Sequence, residues 1–306
     1  PRSSPVPLIE FPGFRCRSYP VYVIGLPDQR LVEELAGFRP DVIHYLNPFV
    51  FGVHWCDLLS RSRLHVPTLF SFHTLYGEFV RQYRGLQLLS PVVWWLMRCY
   101  HQTADLNLTV SSVMTDVLRE RGFPRVALWP PAVDSAGFSP QRWAPKMRRR
   151  LSGNHPEAPL LLTVSRLASE KNVGFLAEVL DRVPEARLAI VGGGPQRDEL
   201  QRRFASRKAQ FIGYLRGADL AAAYASADTF IYASETETMG NVILEALASG
   251  LPVVAADAGG VPSLIRHGVD GYLYSPRNAR EAACFAARIL ESPELRQQLS
   301  LAAVES

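Results

Sequence analysis

Residues 229–256 read TFIYASETETMGNVILEALASGLPVVAA. TFIYA is an apolar run of strand length. It delivers a polar loop, and a segment with helical apolar spacing follows until Gly250 and Pro252 stop it. PVVAA then supplies a second apolar run. Two continuously apolar strands joined by a helix form one unit of a parallel sheet that is covered on both faces.

Outward from this unit the rhythm repeats. LLLTVS, RLAIVG and QFIGY are further strands, with helices expected near 172–183, 196–205, 217–226, 240–249 and 278–290. In the first half, DVIHYL (41–46), TLFSFH (68–73), DLNLTV (105–110) and RVALW (125–129) read as buried strands. Helices are expected there near 50–62, 90–103 and 112–121. The fold class is therefore α/β, with two Rossmann-like domains facing a cleft. The Pro-, Gly- and charge-rich stretch 135–159 suits a linker. This places a first domain with linker at 1–145 and a second domain at 146–306.

The 306 residues carry a net charge of +4 and are 47% apolar. That supports sizeable cores, argues against nucleic acid as partner, and leaves room for a local basic face on a lipid surface. The cysteines, Cys16, Cys56, Cys99 and Cys284, are scattered, which fits reduced thiols better than disulfides or a metal site. No apolar run reaches membrane-spanning length.

Four motifs follow strands, the place where paired sheets of this type hold ligands. In SRLASEK, Arg166 and Lys171 put two cations at the mouth of the sheet, suited to a diphosphate; ordinary surface charge is the plain alternative. In VGGGP, Gly193 and Gly194 let backbone N–H groups approach a ligand closely, or simply form a tight turn. In SETETMGNVILEALASG, the amides of Gly240, Asn241 and Val242 open a helix and form an anion site. Glu237 stands just before that helix end, placed to accept hydroxyl hydrogens from a sugar or else to cap the helix. Glu245, two turns in, is placed to accept two ribose hydroxyl hydrogens; a solvated surface carboxylate is the alternative, weakened by the apolar flanks Ile243, Leu244 and Leu247. ADAGGVPSLI supplies a flexible loop over the same edge, with a helix expected from about Pro262.

In the first half, His73 ends strand TLFSF. It would face the cleft and donate to the sugar or to the leaving group, with a buried structural histidine as the alternative. His44, His54, His65 and His101 read as structural. Residues 76–98 interleave aromatics and Leu with Arg81, Arg84 and Arg98, which suits a bilayer interface or a lipid groove; for Trp94 and Trp95 core packing is favoured. There is no D-x-D, no H-E-x-x-H, no clustered metal ligand set and no nucleophile signature. The chemistry implied is positioning plus stabilisation of a departing nucleoside diphosphate.

Taken together and in order, SRLASEK, VGGGP, the Glu237/Glu245 pair and AGGVP resemble retaining glycosyltransferases of family four, which have the GT-B fold. The resemblance runs from about Leu26 to Pro276. It implies Arg166 and Lys171 on the donor diphosphate, Glu237 on the sugar, Glu245 on the ribose, and Thr238, Met239, Gly240 and Asn241 near phosphate. Gly213 and Tyr214 would lie near the base, and His73 beside the donor sugar. FRPDVIHYLNP, SFHT, HQTADLNLTVSSVM and ALWPPAVDSAGFSP are most similar to the members that move sulfoquinovose from UDP-sulfoquinovose to diacylglycerol. A UDP-sugar donor and a lipid acceptor are thus implied at the cytoplasmic face of a bacterial inner membrane or a chloroplast envelope. No cofactor is implied as a requirement, and stimulation by Mg2+ is allowed. A GDP-mannose-dependent α-mannosyltransferase acting on a glycolipid and a non-catalytic nucleotide-sugar-binding fragment are the rivals. Family members carry a Gly-rich loop after a strand that precedes the position matching Pro1, so the first domain is expected to be N-terminally incomplete. Pro131 and Ala132 stand where the family carries a basic residue and Gly.

Overall fold

The computed structural model describes residues 13–16, 19–25, 29–46, 64–74, 76–80 and 87–306. The chain divides into two compact units, Pro1–Trp129 and Pro130–Ser306.

In the first unit, strands β1 (Gly13–Cys16) and β2 (Tyr19–Gly25) pair antiparallel. Helix α1 (Gln29–Phe38) follows. Strands β3 (Ile43–Leu46), β4 (Thr68–Phe72), β5 (Leu106–Thr109) and β6 (Val126–Leu128) then form a parallel sheet in that order. All four coincide with the expected apolar runs. The β1–β2 pair and α1 fall outside the expected set; in β2, Pro20 within YPVYVIG weakens the strand signal. Helix α2 (Tyr76–Phe79) is a single turn. Helix α3 (Ser90–His101) carries Pro91 in its first turn, and α4 (Ser112–Glu120) is capped by the Ser111 side chain, which accepts from the Met114 amide. The helix expected near 50–62 and the residues Arg81 and Arg84 lie outside the described residues, as does His54.

The second unit begins with α5 (Pro145–Leu151). Its sheet is entirely parallel, in the order β12-β11-β10-β7-β8-β9. The strands are β7 (Leu160–Val164), β8 (Arg187–Val191), β9 (Ala209–Gly213), β10 (Thr229–Tyr232), β11 (Val253–Ala256) and β12 (Gly271–Tyr274). β12 is an additional edge strand. The helices are α6 (Leu176–Leu180), α7 (Arg197–Arg203), α8 (Gly217–Ala225), α9 (Asn241–Ala248), α10 (Ala279–Glu291) and α11 (Pro293–Glu305).

The period of two along each strand builds two cores. Leu160, Leu162, Phe230, Tyr232, Val253 and Ala255 bury on one face; Leu161, Ile190, Ile231, Val254 and Ala256 bury on the other. This is why the strands read as unbroken apolar runs.

Part of the stretch with linker composition is held firmly to this unit. Arg148 donates to the Asp228 carboxylate at 2.8 Å, both side chains being largely buried, and Met147 and Leu151 enter the core. Two expected helices are shorter than their periodicity predicts. Residues 169–175 form two short 3-10 turns separated by Asn172, whose left-handed φ of 48° breaks the α-helical path. After AGG only one 3-10 turn forms, Val261–Ser263.

Candidate functional site

Five loops leave the carboxyl edge of the second sheet. The loop after β7 carries Arg166 to Lys171, and the loop after β8 carries Gly192 to Gln196. Tyr214 follows β9, residues 233–240 follow β10, and 257–260 follow β11. Backbone bonds tie these loops to one another. Leu167 N–H donates to Gly193 O at 3.0 Å, Gln196 N–H to Leu167 O at 3.0 Å, and Gly192 N–H to Gly213 O at 2.9 Å. The Tyr214 hydroxyl donates to Gly193 O at 2.9 Å while its ring stays exposed. At Gly192, φ is +129° and an added Cβ would sit 1.9 Å from Ser165 O, so no side chain fits between these loops. The Gly193 carbonyl is thus occupied in knitting the sheet edge.

The turns at 166–171 and 237–245, far apart in sequence, meet here. Lys171 Nζ donates to Glu237 Oε2 at 2.6 Å and lies 3.3 Å from the Tyr232 hydroxyl. That hydroxyl donates to the same Glu237 oxygen. Gly260 N–H donates to Glu237 O at 2.7 Å, fixing the loop from the other side. The expected cap of the α9 start by Glu237 is long, 3.4 Å from Gly240 N. Arg166 makes an ion pair with Glu170, in the same loop.

These partners set the charges. Burial alone would raise the Glu237 carboxyl, but the Lys171 charge and the bonds from Lys171 and Tyr232 hold it below its ordinary value. Glu170 is likewise lowered, its burial outweighed by Arg166 and Lys171. Glu245 goes the other way. Burial raises its carboxyl, partly offset by the buried Tyr224 hydroxyl, which donates to Glu245 Oε2 at 2.8 Å. Each cation of SRLASEK is therefore paired with a carboxylate, and both Glu237 and Glu245 accept from a tyrosine.

Thr238 and Met239 are half-buried in the loop before α9, Gly240 is buried at its start, and the amides of Asn241 and Val242 open it. Arg166, Lys171, Gly193, Gly194, Gly213, Tyr214, Glu237 and the α9 start thus share one sheet edge; Glu245, expected two turns into the helix, lies only about one turn along α9, because the helix begins at Asn241. His73 belongs to the first unit. Its Nε2 lies 3.0 Å from Ser71 Oγ, and burial, then His44, lowers its proton affinity, which favours the neutral imidazole. Sequence reading passed over Glu170, Tyr224 and Tyr232. The two tyrosines were hidden because a tyrosine in an apolar run reads as core. Among the described residues no group of three or more His, Cys, Asp or Glu side chains could hold a metal ion.

The first unit also corrects one expectation. In α3, Trp94 is buried as expected, but Trp95 is 56% exposed. Leu88, Leu89, Val92 and Leu96 are exposed too, so an apolar stripe faces outward with Arg98 beside it. No helix among the described residues is long and apolar enough to cross a membrane.

Residues 147–305 match the family of glycosyl transferases group 1, and residues 1–136 match glycosyltransferase family 4. The chain is 38% identical over 302 residues to a sulfoquinovosyl transferase of Arabidopsis thaliana, covering 96% of this chain and 58% of the plant protein. It is 39% identical over 242 residues to a GDP-mannose-dependent α-mannosyltransferase of Mycobacterium tuberculosis, covering 79% of this chain and 62% of that protein. It therefore spans about three fifths of the length of these two relatives. Among solved structures it resembles sucrose-phosphate synthase of Thermosynechococcus elongatus, with a TM-score of 0.74 at 22% identity over 92% of this chain and 74% of that one. The Anabaena protein HepE, solved with UDP and glucose, gives a TM-score of 0.75 at 22% identity over 90% and 76%. Two α/β units with parallel sheets, a paired-cation loop meeting the E-x7-E pair at the α9 start, and matches to both halves make this chain a member of family four of the glycosyltransferases, with the GT-B fold.

Proposed function

We propose that the chain takes a sugar from a UDP-sugar, UDP-sulfoquinovose, and transfers it with retention to the hydroxyl of diacylglycerol. The observation that carries this reading is the meeting of Lys171 and Glu237 at 2.6 Å beside the α9 start. One cation, one carboxylate and a helix end at a single sheet edge match the parts of a sugar diphosphate. On donor binding, Arg166 and Lys171 turn from their carboxylates to the diphosphate oxygens. Glu237 then accepts from sugar hydroxyls, and Glu245 from the ribose. Transfer breaks the bond between the anomeric carbon and the β-phosphate oxygen and forms one to the acceptor oxygen. The acceptor proton passes to the departing diphosphate, whose charge Arg166, Lys171 and the α9 amides stabilise. His73, neutral at physiological pH, donates beside the sugar.

The sulfoquinovosyl assignment is supported by similarity to the plant transferase over 96% of this chain. The outward apolar stripe of α3 supports a peripheral seat on the membrane that holds the acceptor. A second reading, mannosyl transfer from GDP-mannose to a glycolipid, is favoured by the 39% identity to the mycobacterial relative. A transfer assay with vesicles containing diacylglycerol and a glycolipid acceptor, and UDP-sulfoquinovose, UDP-glucose or GDP-mannose as donor, separates them. Product with UDP-sulfoquinovose is expected; product only with GDP-mannose overturns the sulfolipid assignment. Nucleotide binding with no transfer from any donor points to a non-catalytic binding module.

A further inference from the structure

We propose that two buried tyrosines are positioning residues for the two glutamates of the donor site, Tyr232 for the sugar-facing Glu237 and Tyr224 for the ribose-facing Glu245; this rests on the donor-site reading above. Tyr232 is 2% exposed, and its hydroxyl donates to Glu237 Oε2, the same oxygen that receives Lys171 Nζ. The two donors differ in what they can do next. Lys171 has a flexible stem and a partly exposed side chain, so it can leave for a phosphate oxygen. Tyr232 is locked by packing within the β10 core face.

When a diphosphate draws Lys171 away, Glu237 loses its cation at the moment it must hold one geometry for the sugar. The phenol that stays behind prevents the carboxylate from swinging, and leaves Oε1 and the second lone pair of Oε2 for sugar hydroxyls. Gly260 N–H, donating to Glu237 O, holds the backbone while the phenol holds the side chain. Tyr224 repeats the arrangement one layer away. It is fully buried on α8, and its hydroxyl reaches Glu245 Oε2 at 2.8 Å, so Glu245 keeps Oε1 for a ribose. Tyr224 precedes Tyr232 by the same eight positions that separate Glu237 from Glu245.

The test uses the full chain. Calorimetric titration first finds which of UDP-sulfoquinovose, UDP-glucose and GDP-mannose binds most tightly, and compares its Kd with that of its own nucleoside diphosphate. Tyr232→Phe removes only the hydroxyl. It is expected to leave nucleoside diphosphate affinity within about threefold while lowering the preference for the sugar-bearing donor about tenfold. Glu237→Gln is expected to lower that preference similarly, and the double variant to lose no more than either single one, since both act through one carboxylate. Tyr224→Phe is expected to weaken donor and nucleoside diphosphate together, leaving the preference unchanged. A melting temperature measured for each variant identifies loss of fold, and in that event Glu237→Gln and Tyr224→Phe still test the pattern. An unchanged preference in a folded Tyr232→Phe, or additive losses in the double variant, overturns the positioning role alone. Failure of the unaltered chain to bind any of these nucleotides overturns the donor-site reading on which it rests.

Discussion

Lys171 and Arg166 are each held by a carboxylate, so removing either cation has two consequences. On the proposed donor-site reading a phosphate contact is lost, and a partly buried Glu loses its ion-pair partner. Charged hydrogen bonds of this kind contribute about 1.5–3 kcal/mol. Arg166→Ala and Lys171→Ala are each expected to weaken UDP binding by about 10- to 100-fold in a calorimetric titration; unchanged affinity in both variants would remove the site assignment. A second residue-scale prediction concerns His101, which is 1% exposed, with Nδ1 2.7 Å from Asn107 Oδ1. Burial pulls its pKa down to about 4, the bond to Asn107 offsetting only part. The unfolded chain takes up this proton near pH 6.5, whereas the folded chain resists it until about pH 4. Its contribution to stability is therefore intact above pH 6.5 and declines as pH falls toward 4, at up to about 1.4 kcal/mol per pH unit. Unfolding midpoints in urea between pH 7 and 4 should show this slope, and His101→Gln should flatten it. Arg166, Lys171 and Glu237 were legible as candidates because charged groups in loops after strands are conspicuous, and Glu245 because it is a carboxylate on a helix with apolar flanks. Tyr224 and Tyr232 were not, because only the fold shows where a buried hydroxyl points.

At the scale of elements, the loop after β11 controls the loop after β10. Gly259 has a φ of +59°, and a Cβ there would lie 2.5 Å from Glu237 O. Gly259→Ala must push the Glu237 loop aside, and it is expected to cost about 1–3 kcal/mol of stability. UDP-sugar binding should fall more than this loss accounts for, measured by titration of the folded variant; affinity equal to that of the unaltered chain would show that the loop does not position Glu237. On α3, the exposed positions Val92, Trp95 and Leu96 follow Leu88 at helical spacing, while Trp94, Met97 and Tyr100 pack inward. Replacing Leu88 and Trp95 with Ser should reduce co-sedimentation with anionic vesicles about tenfold and leave UDP affinity unchanged, since α3 belongs to the other unit. Retained vesicle binding would exclude this stripe as the membrane seat. The side on which Trp95 lies was not readable, because two adjacent tryptophans on a helix share identical local propensity and differ only in what the helix packs against.

For the molecule as a whole, every residue assigned to the diphosphate, sugar and ribose except His73 lies within Pro130–Ser306. That unit has its own six-stranded sheet, with a core on each face. Expressed alone, it is expected to bind UDP within about threefold of the full chain and to catalyse no transfer. Loss of UDP binding in a folded second unit would mean that the first unit supplies part of the nucleotide site. Net charge, by contrast, has little part in this division: +4 spread over 306 residues leaves the local pairs at the sheet edge to decide which anion is held.

The amino-acid order alone determined that the chain is α/β, where the parallel strands other than the edge strand β12 run, and which loops carry the polar residues. These follow from local periodicity: a strand covered on both faces must be apolar throughout, and a loop at its end is free to be charged. Tertiary structure decided which charge meets which. The sheet order β10-β7-β8 sets the loops after residues 164 and 232 beside each other, bringing Lys171 to Glu237 across 66 positions of sequence. Strand order is a property of the whole core, written in no single segment, so that contact, and the phenol beside it, emerge only when the sheet has formed.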